Sequence, residues 1–235
     1  MTRAEKLEYL ALLEEKYRRR ARNDLNEYCK FIEIPGAPIS ANDEDCEQFY
    51  PDNVIPAKHH ELLNRTLMKV ESGDIPRLMV FMPPGSAKST YASVTFPTWF
   101  MGKKPGRNVI STSYASPLAV KFGRKCRQIT RSPGYVDVFD SVLNVDNRAA
   151  DDWSISNGST YMGCGILGGV TGNRADLLVI DDPVRGRADA DSPTIREKIW
   201  EAYLNDLRTR LKPSGKIVII QTRWHEDDLS GRILP

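Results

Sequence analysis

Two short clusters in this chain of 235 residues carry side chains that handle phosphate and metal ions. The first is Met82-Pro-Pro-Gly-Ser-Ala-Lys-Ser-Thr90, which closes the apolar run from Leu78 and leads into residues able to start a helix. Strand, small-residue loop, Lys-Ser and helix form the order in which backbone N–H groups at a helix N-terminus surround phosphate oxygens. On that reading Pro84, Gly85, Ser86, Ala87, Lys88, Ser89 and Thr90 make a nucleotide cradle. Lys88 reaches the outer phosphates and Ser89 gives its hydroxyl to Mg²⁺. The pattern G-x-x-x-x-G-K-[ST] is not met in full, since Met82 and Ala87 stand where the glycines belong. The loop therefore closes only if Ala87 takes up glycine-like backbone angles. A lysine in such a site is expected to face solvent when no phosphate is present.

The second cluster is Arg174-Ala-Asp-Leu-Leu-Val-Ile-Asp-Asp-Pro183, an apolar strand ending in two carboxylates. Acids at the carboxyl end of a buried parallel strand hold Mg²⁺ through water and polarise an attacking water, here Asp181 and its neighbour Asp182. A third acidic group, His225-Glu226-Asp227-Asp228, could be read as a nuclease metal site. It is better read as a cap at a helix N-terminus.

Around these clusters the chain alternates buried strands with helices. Thr2 and Glu5 form a capping box ahead of Leu7, Leu10, Leu13, Tyr17, Ala21, Leu25 and Tyr28, which predicts one long amphipathic helix that packs on the body. Arg18, Arg19, Arg20 and Arg22 lie on its later turns as a solvated face or a partner patch. Residues 34 to 56, with four prolines, read as an irregular connection. A helix with His59, Leu63, Leu67 and Val70 on one face stops at Gly73. His59 and His60 lack a carboxylate or Cys at ligand spacing and are structural, or line a base pocket. The spacing further predicts a helix over about 88 to 101, a strand from Asn108 to Tyr114, and a helix from Leu118 to Ile129 carrying Lys121, Arg124, Lys125 and Arg127. A hairpin should turn at Asn157-Gly158. A helix capped by Asp191 or Ser192 is striped by Trp200, Tyr203, Leu204, Leu207 and Leu211 and ends at Pro213 and Gly215. The strand Lys216–Thr222 follows. Buried strands alternating with helices predict a doubly wound, mainly parallel α/β sheet.

Composition narrows the class. A net charge of +2 gives no bulk attraction to nucleic acid, so such contact would need a local patch. Cys29, Cys46, Cys126 and Cys164 form no C-x-x-C pair and read as reduced, buried thiols. No apolar run approaches the ~20 residues of a membrane span, and the opening residues do not form a signal peptide.

Three segments, Pro83-Pro-Gly-Ser-Ala-Lys-Ser89, Thr171-Gly-x-Arg-Ala-Asp-Leu-Leu-Val-Ile-Asp-Asp-Pro183 and Gln221-Thr-Arg-Trp-His-Glu-Asp-Asp-Leu-Ser-Gly-Arg-Ile233, are similar in order and spacing to the large terminase subunit of tailed bacteriophages. The likeness runs from about residue 50 to 235. It implies a P-loop NTPase of the ASCE, RecA-like type over residues 56–235. An N-terminal helix and wrapping connection would span 1–55, and the family's C-terminal nuclease is not expected in this stretch. It also implies Mg²⁺-dependent ATP hydrolysis that drives viral double-stranded DNA into a capsid. The partners would be a portal protein, a small terminase subunit and a ring of like chains, pentameric in the family, with the chain monomeric alone. The setting would be the bacterial host cytoplasm.

By position in the family, Lys88 binds the β and γ phosphates, and Ser89 and Asp181 hold Mg²⁺. Asp182 falls where most members carry the catalytic Glu, and Thr222 occupies the coupling motif. Which carboxylate activates water stays open. Members often place an Arg ahead of the Gly matching Gly172, where this chain has Thr171. Some relatives also carry Arg at the position of Gly85. Arg174, and after it Arg127, is then the candidate for a finger acting across a ring interface. Two alternatives stand beside this: an ATP-binding switch without useful turnover, and a helicase, which would need a second RecA-like domain.

Overall fold

The computed structural model describes residues 2–40, 46–52, 55–144, 149–170 and 172–234; Thr171 lies outside them. The helices α1 (Arg3–Asn23) and α2 (Leu25–Phe31) lead to an antiparallel pair, β1 (Ile34–Pro38) and β2 (Phe49–Asp52), and then to α3 (Lys58–Ser72). The remaining elements are β3 (Arg77–Phe81), α4 (Phe96–Lys103), β4 (Asn108–Ser113), α5 (Ser116–Arg131), α6 (Pro133–Phe139), β5 (Asp152–Ser154), β6 (Thr160–Gly165), β7 (Ala175–Asp181), α7 (Arg187–Asp191), α8 (Pro193–Glu201), β8 (Leu211–Gln221) and α9 (Leu229–Ile233).

Six strands form the central sheet in the order β3-β8-β7-β4-β6-β5, parallel except for β5. Both faces are covered, which is why β7 and β8 are apolar without alternation. Successive side chains point to opposite faces. Leu177 and Val179 accordingly join Val218 and Ile220 in one core, and Leu178 and Ile180 join Ile217 and Ile219 in the other. Each of these side chains, removed from water, contributes about 2 kcal/mol. α5 lies close on β6 because Gly163 and Gly165 leave room. A Cβ on either would come within 3.0 Å of the Ala119 carbonyl or the Ser116 amide. The hairpin falls where the sequence put it, with β5 antiparallel to β6 and Gly158 at φ +84°.

Several expectations are corrected. The opening helix is not continuous: Asp24 leaves helical geometry, and its carboxylate accepts bonds from the Asn26 and Glu27 amides, which starts α2 afresh. Nor does α1 pack along its length. Ala21 is buried, while Leu7, Leu10 and Tyr17 are exposed. The Thr2–Glu5 box is present, with both reciprocal bonds made. Of the four arginines, Arg18 and Arg19 pair with Glu14 and Glu15 one turn earlier, and Arg22 donates to the Val138 carbonyl.

The stretch from 34 to 56 is not wholly irregular, since it holds the β1–β2 pair. Leu211, Pro213 and Gly215 belong to β8 rather than to the preceding helix end, so the strand begins five residues before Lys216. On α3 the buried member of the histidine pair is His60, and His59 is exposed. All four cysteines are buried and none forms a disulfide. Among the described residues no helix is long and apolar enough to cross a membrane.

Candidate phosphate and metal site

The carboxyl ends of β3, β8, β7 and β4 lie side by side, which is where open α/β sheets carry their sites. β3 ends in the loop from Met82. There the Ser86 amide bonds the Pro83 carbonyl at 3.3 Å, and the chain turns through two left-handed residues, Gly85 at φ +76° and Ala87 at φ +56°. Ala87 thus takes the conformation expected of a glycine, at a steric cost of about 1 kcal/mol. Helical geometry starts at Lys88 and Ser89, and the Tyr91 amide closes on the Ala87 carbonyl. The next turn, Thr90–Thr95, is π-helical before α4 continues. The first amides of this helix have no intrahelical partner, so they are available to an anion.

Lys88 does not face solvent, contrary to expectation. It is 6% exposed, and its Nζ lies 3.3 Å from Thr222 Oγ1 and 3.5 Å from Asp182 Oδ2. Asp182 Oδ1 in turn accepts the Thr222 amide at 3.0 Å. Three strand ends are thereby joined through one lysine, one carboxylate and one threonine. Asp182 is itself left-handed, φ +43°, with its backbone tied to Ile220 and Tyr114. Asp and Asn tolerate that region better than longer side chains do, which suits the short acid at this position.

Asp181 is fully buried at the end of β7. Its Oδ2 accepts Ser93 Oγ at 2.5 Å, while its Oδ1 has no partner among the described residues. Burial pushes its carboxyl up to about 6; the bond from Ser93 and the nearby Ser89 hydroxyl oppose the rise, and neighbouring Asp182 adds to it. An orphaned carboxylate oxygen beside the first-turn hydroxyl of Ser89 is a fitting donor set for a hard divalent cation. The sign of the proton linkage follows from the raised value. Below about pH 4 the buried acid is neutral in both folded and unfolded chains. As pH rises towards 6 the unfolded chain ionises first, and the folded state becomes relatively less stable.

Asp181→Asn should therefore stabilise the metal-free protein at pH 7.5 by roughly 2–3 kcal/mol, while Mg²⁺-dependent nucleotide binding is lost. Urea denaturation in EDTA checks this, and a less stable Asn variant would contradict the burial argument.

Two residues of the site were not singled out in the sequence. Ser93, which holds Asp181, lies four residues after Ser89, a helical spacing that could have flagged it. Ser113, paired in register with Asp181, is fully buried with its hydroxyl unpartnered among the described residues.

The arginine candidates lie away from this constellation. Arg174 is exposed at the amino end of β7, the opposite end from Asp181. Arg127 is not on a polar face: it is 4% exposed and held by Glu47 and the Ala149 carbonyl. The acids after β8 serve as caps and ion pairs, as expected. Asp228 accepts the Gly231 amide at the start of α9 and pairs with Arg223, and Arg232 and Arg196 hold Asp227 well below the usual carboxylate range. No group of three or more metal-ligating side chains occurs among the described residues.

A mainly parallel sheet with a turning loop at one strand end and paired acids at another defines a RecA-like α/β fold of the large-terminase kind. The large terminase of bacteriophage HK97 matches this chain in structure with a TM-score of 0.58 over 88% of its length, at 12% sequence identity. The chain spans 40% of that protein. No protein-family model matches the sequence, and no curated protein matches it significantly.

Proposed function

We propose that this chain is a Mg²⁺-dependent ATPase that powers movement of viral double-stranded DNA into a capsid. The observation that carries the reading is the contact of Lys88 with both Asp182 and Thr222 across three strand ends, set within a large-terminase-like fold. Phosphoryl transfer asks the protein chiefly for positioned charge. The amides of Gly85 and of Ala87 to Thr90, with the Lys88 ammonium, bind the phosphates, and Ser89 and Asp181 hold the metal. Bound Mg²⁺ would neutralise charge developing on the phosphate oxygens. Lys88, drawn to phosphate, releases Asp182 to orient the attacking water. Thr222, bonded to Asp182 through its amide, transmits that change into β8 and beyond. In this reading the working form is a ring of like chains at a portal, with a small subunit and DNA as further partners, in the bacterial cytoplasm.

Asp182→Asn is the direct test. The Asn side chain keeps an acceptor for the Thr222 amide and suits the left-handed backbone, so the fold and ATP affinity should persist. Turnover should fall about 10²- to 10⁴-fold, the range for a lost general base. Phosphate release and equilibrium binding of an ATP analogue separate the two effects. Wild-type turnover in this variant would remove Asp182 from the chemistry. Absence of turnover in the wild-type chain itself, with ATP still bound, would instead favour a nucleotide switch.

A further inference from the structure

We infer that His60, on the first turn of α3, is a positioning residue that clamps the phosphate loop from behind; the inference rests on the nucleotide reading of that loop. The imidazole is 8% exposed and makes a bond at each nitrogen. Its Nδ1 accepts the Ala57 amide at 3.1 Å, where a capping box more often uses Glu or Gln to bond the amide before the helix. That contact places the ring proton on Nε2, which donates to the Ser86 carbonyl at 2.9 Å. The ring face stacks on Tyr91, with centroids 4.4 Å apart and planes 26° apart. One side chain therefore joins the start of α3, the loop carbonyl just before Ala87, and the helix just after the loop.

The geometry has a consequence for the loop amides. The Ala87 amide shares its peptide plane with the Ser86 carbonyl, so the bond from His60 fixes that plane. It also braces the left-handed Ala87, whose conformation is not the one its side chain prefers. The Tyr91 stack fixes the same ring against the helix that presents Lys88 and Ser89. Burial holds His60 below its ordinary pKa, with the Ser86 bond opposing and His59 adding to the fall, so the neutral form with both bonds intact is the one present at neutral pH. The ring of His59 lies beside that of His60, with centroids 3.8 Å apart, but it is exposed and makes no comparable bond to the loop among the described residues.

Two variants separate bonding from packing. His60→Phe keeps the aromatic stack and loses both bonds. His60→Gln keeps a donor and an acceptor and loses the ring. With Mg-ATP and the whole chain, His60→Phe should raise KM, and the Kd for an ATP analogue, about tenfold, with kcat within about twofold. His60→Gln should return both constants to within about twofold of wild type and keep the wild-type unfolding midpoint, while His60→Phe, still folded at the assay temperature, has a midpoint lowered by a few degrees. Wild-type affinity in His60→Phe would overturn the clamp. So would equal loss in both variants together with lowered midpoints, the pattern of a residue needed only for folding. Lys88→Ala, measured alongside, tests the reading beneath: if it binds nucleotide as wild type does, the loop is not a phosphate site, whatever His60 does.

Discussion

In Lys88→Ala protein, ATP turnover is expected to fall about 10²- to 10³-fold or more, the loss seen when one preorganised charge-stabilising group leaves an active site. The geometry makes the effect larger than removal of an exposed lysine would suggest. Lys88 is buried, and its ammonium is the cation beside Asp182. Its loss takes the contact from the outer phosphates and leaves the Asp182 carboxylate, among the described residues, with only the Thr222 amide. The variant should also bind ATP more weakly. The lysine is one partner of a short network rather than a core side chain, so the fold should hold. Phosphate release measured with circular dichroism and the unfolding midpoint checks both halves. A folded variant that hydrolyses ATP at the wild-type rate would end the phosphate-loop assignment.

Arg174→Ala should lower turnover in assembled rings by roughly 10³ to 10⁵, the range for an arginine finger, with nucleotide affinity unchanged. Position determines how it could act. Arg174 precedes β7, whereas Asp181 and Asp182 follow it, and a strand of that length spans about 20 Å. The guanidinium therefore cannot reach its own chain's phosphates, but it is exposed and pairs with nothing among the described residues. It would serve a neighbouring site. Mixing inactive Lys88→Ala chains with inactive Arg174→Ala chains should then restore part of the rate, because some interfaces combine an intact loop with an intact arginine. Mixtures that stay inactive where wild-type rings assemble and work would dismiss Arg174. Arg127 is a poor substitute, because Glu47 and Ala149 already occupy its donors.

The parts of the site that follow from strand order were legible in the sequence. The apolar runs ending at Pro83-Pro84 and at Asp181-Asp182 are strands whose carboxyl ends lie together in a parallel sheet; β7 is buried as its sequence implies, whereas β3 is a half-exposed edge strand with only Val80 buried. What stayed hidden depends on contacts distant in sequence. Lys88 looked exposed because nothing local shows that Asp182 and Thr222 turn towards it from other strands. Helical spacing put His59 on the apolar face, whereas His60 is the buried one, since their separate roles come from which helix face meets the loop. The break at Asp24 was masked by an apolar pattern continuing to Tyr28, although Asp is a strong N-cap residue. The exposed start of α1 shows the limit of periodicity: spacing predicts a face, not something to cover it.

At high protein concentration, the outer edge of β3 offers a place for chains to meet. Among the described residues this strand is paired on one side only, by β8, so its other side presents backbone donors and acceptors, a template for edge-to-edge growth. Beside it lies a groove of about 590 Å³ whose apolar lining, Leu78, Met79, Ile217, Ile219 and Tyr203, is interrupted by Arg77 and Arg208. Two features oppose such growth. The strand is only five residues long, and a charged guanidinium stands at each end: Arg77 opens the strand, and Arg223 sits over the ring of Phe81 at its close. The short length limits such pairing, and Arg77 adds a charge at the strand's start, while the charge of Arg223 is matched by Asp228.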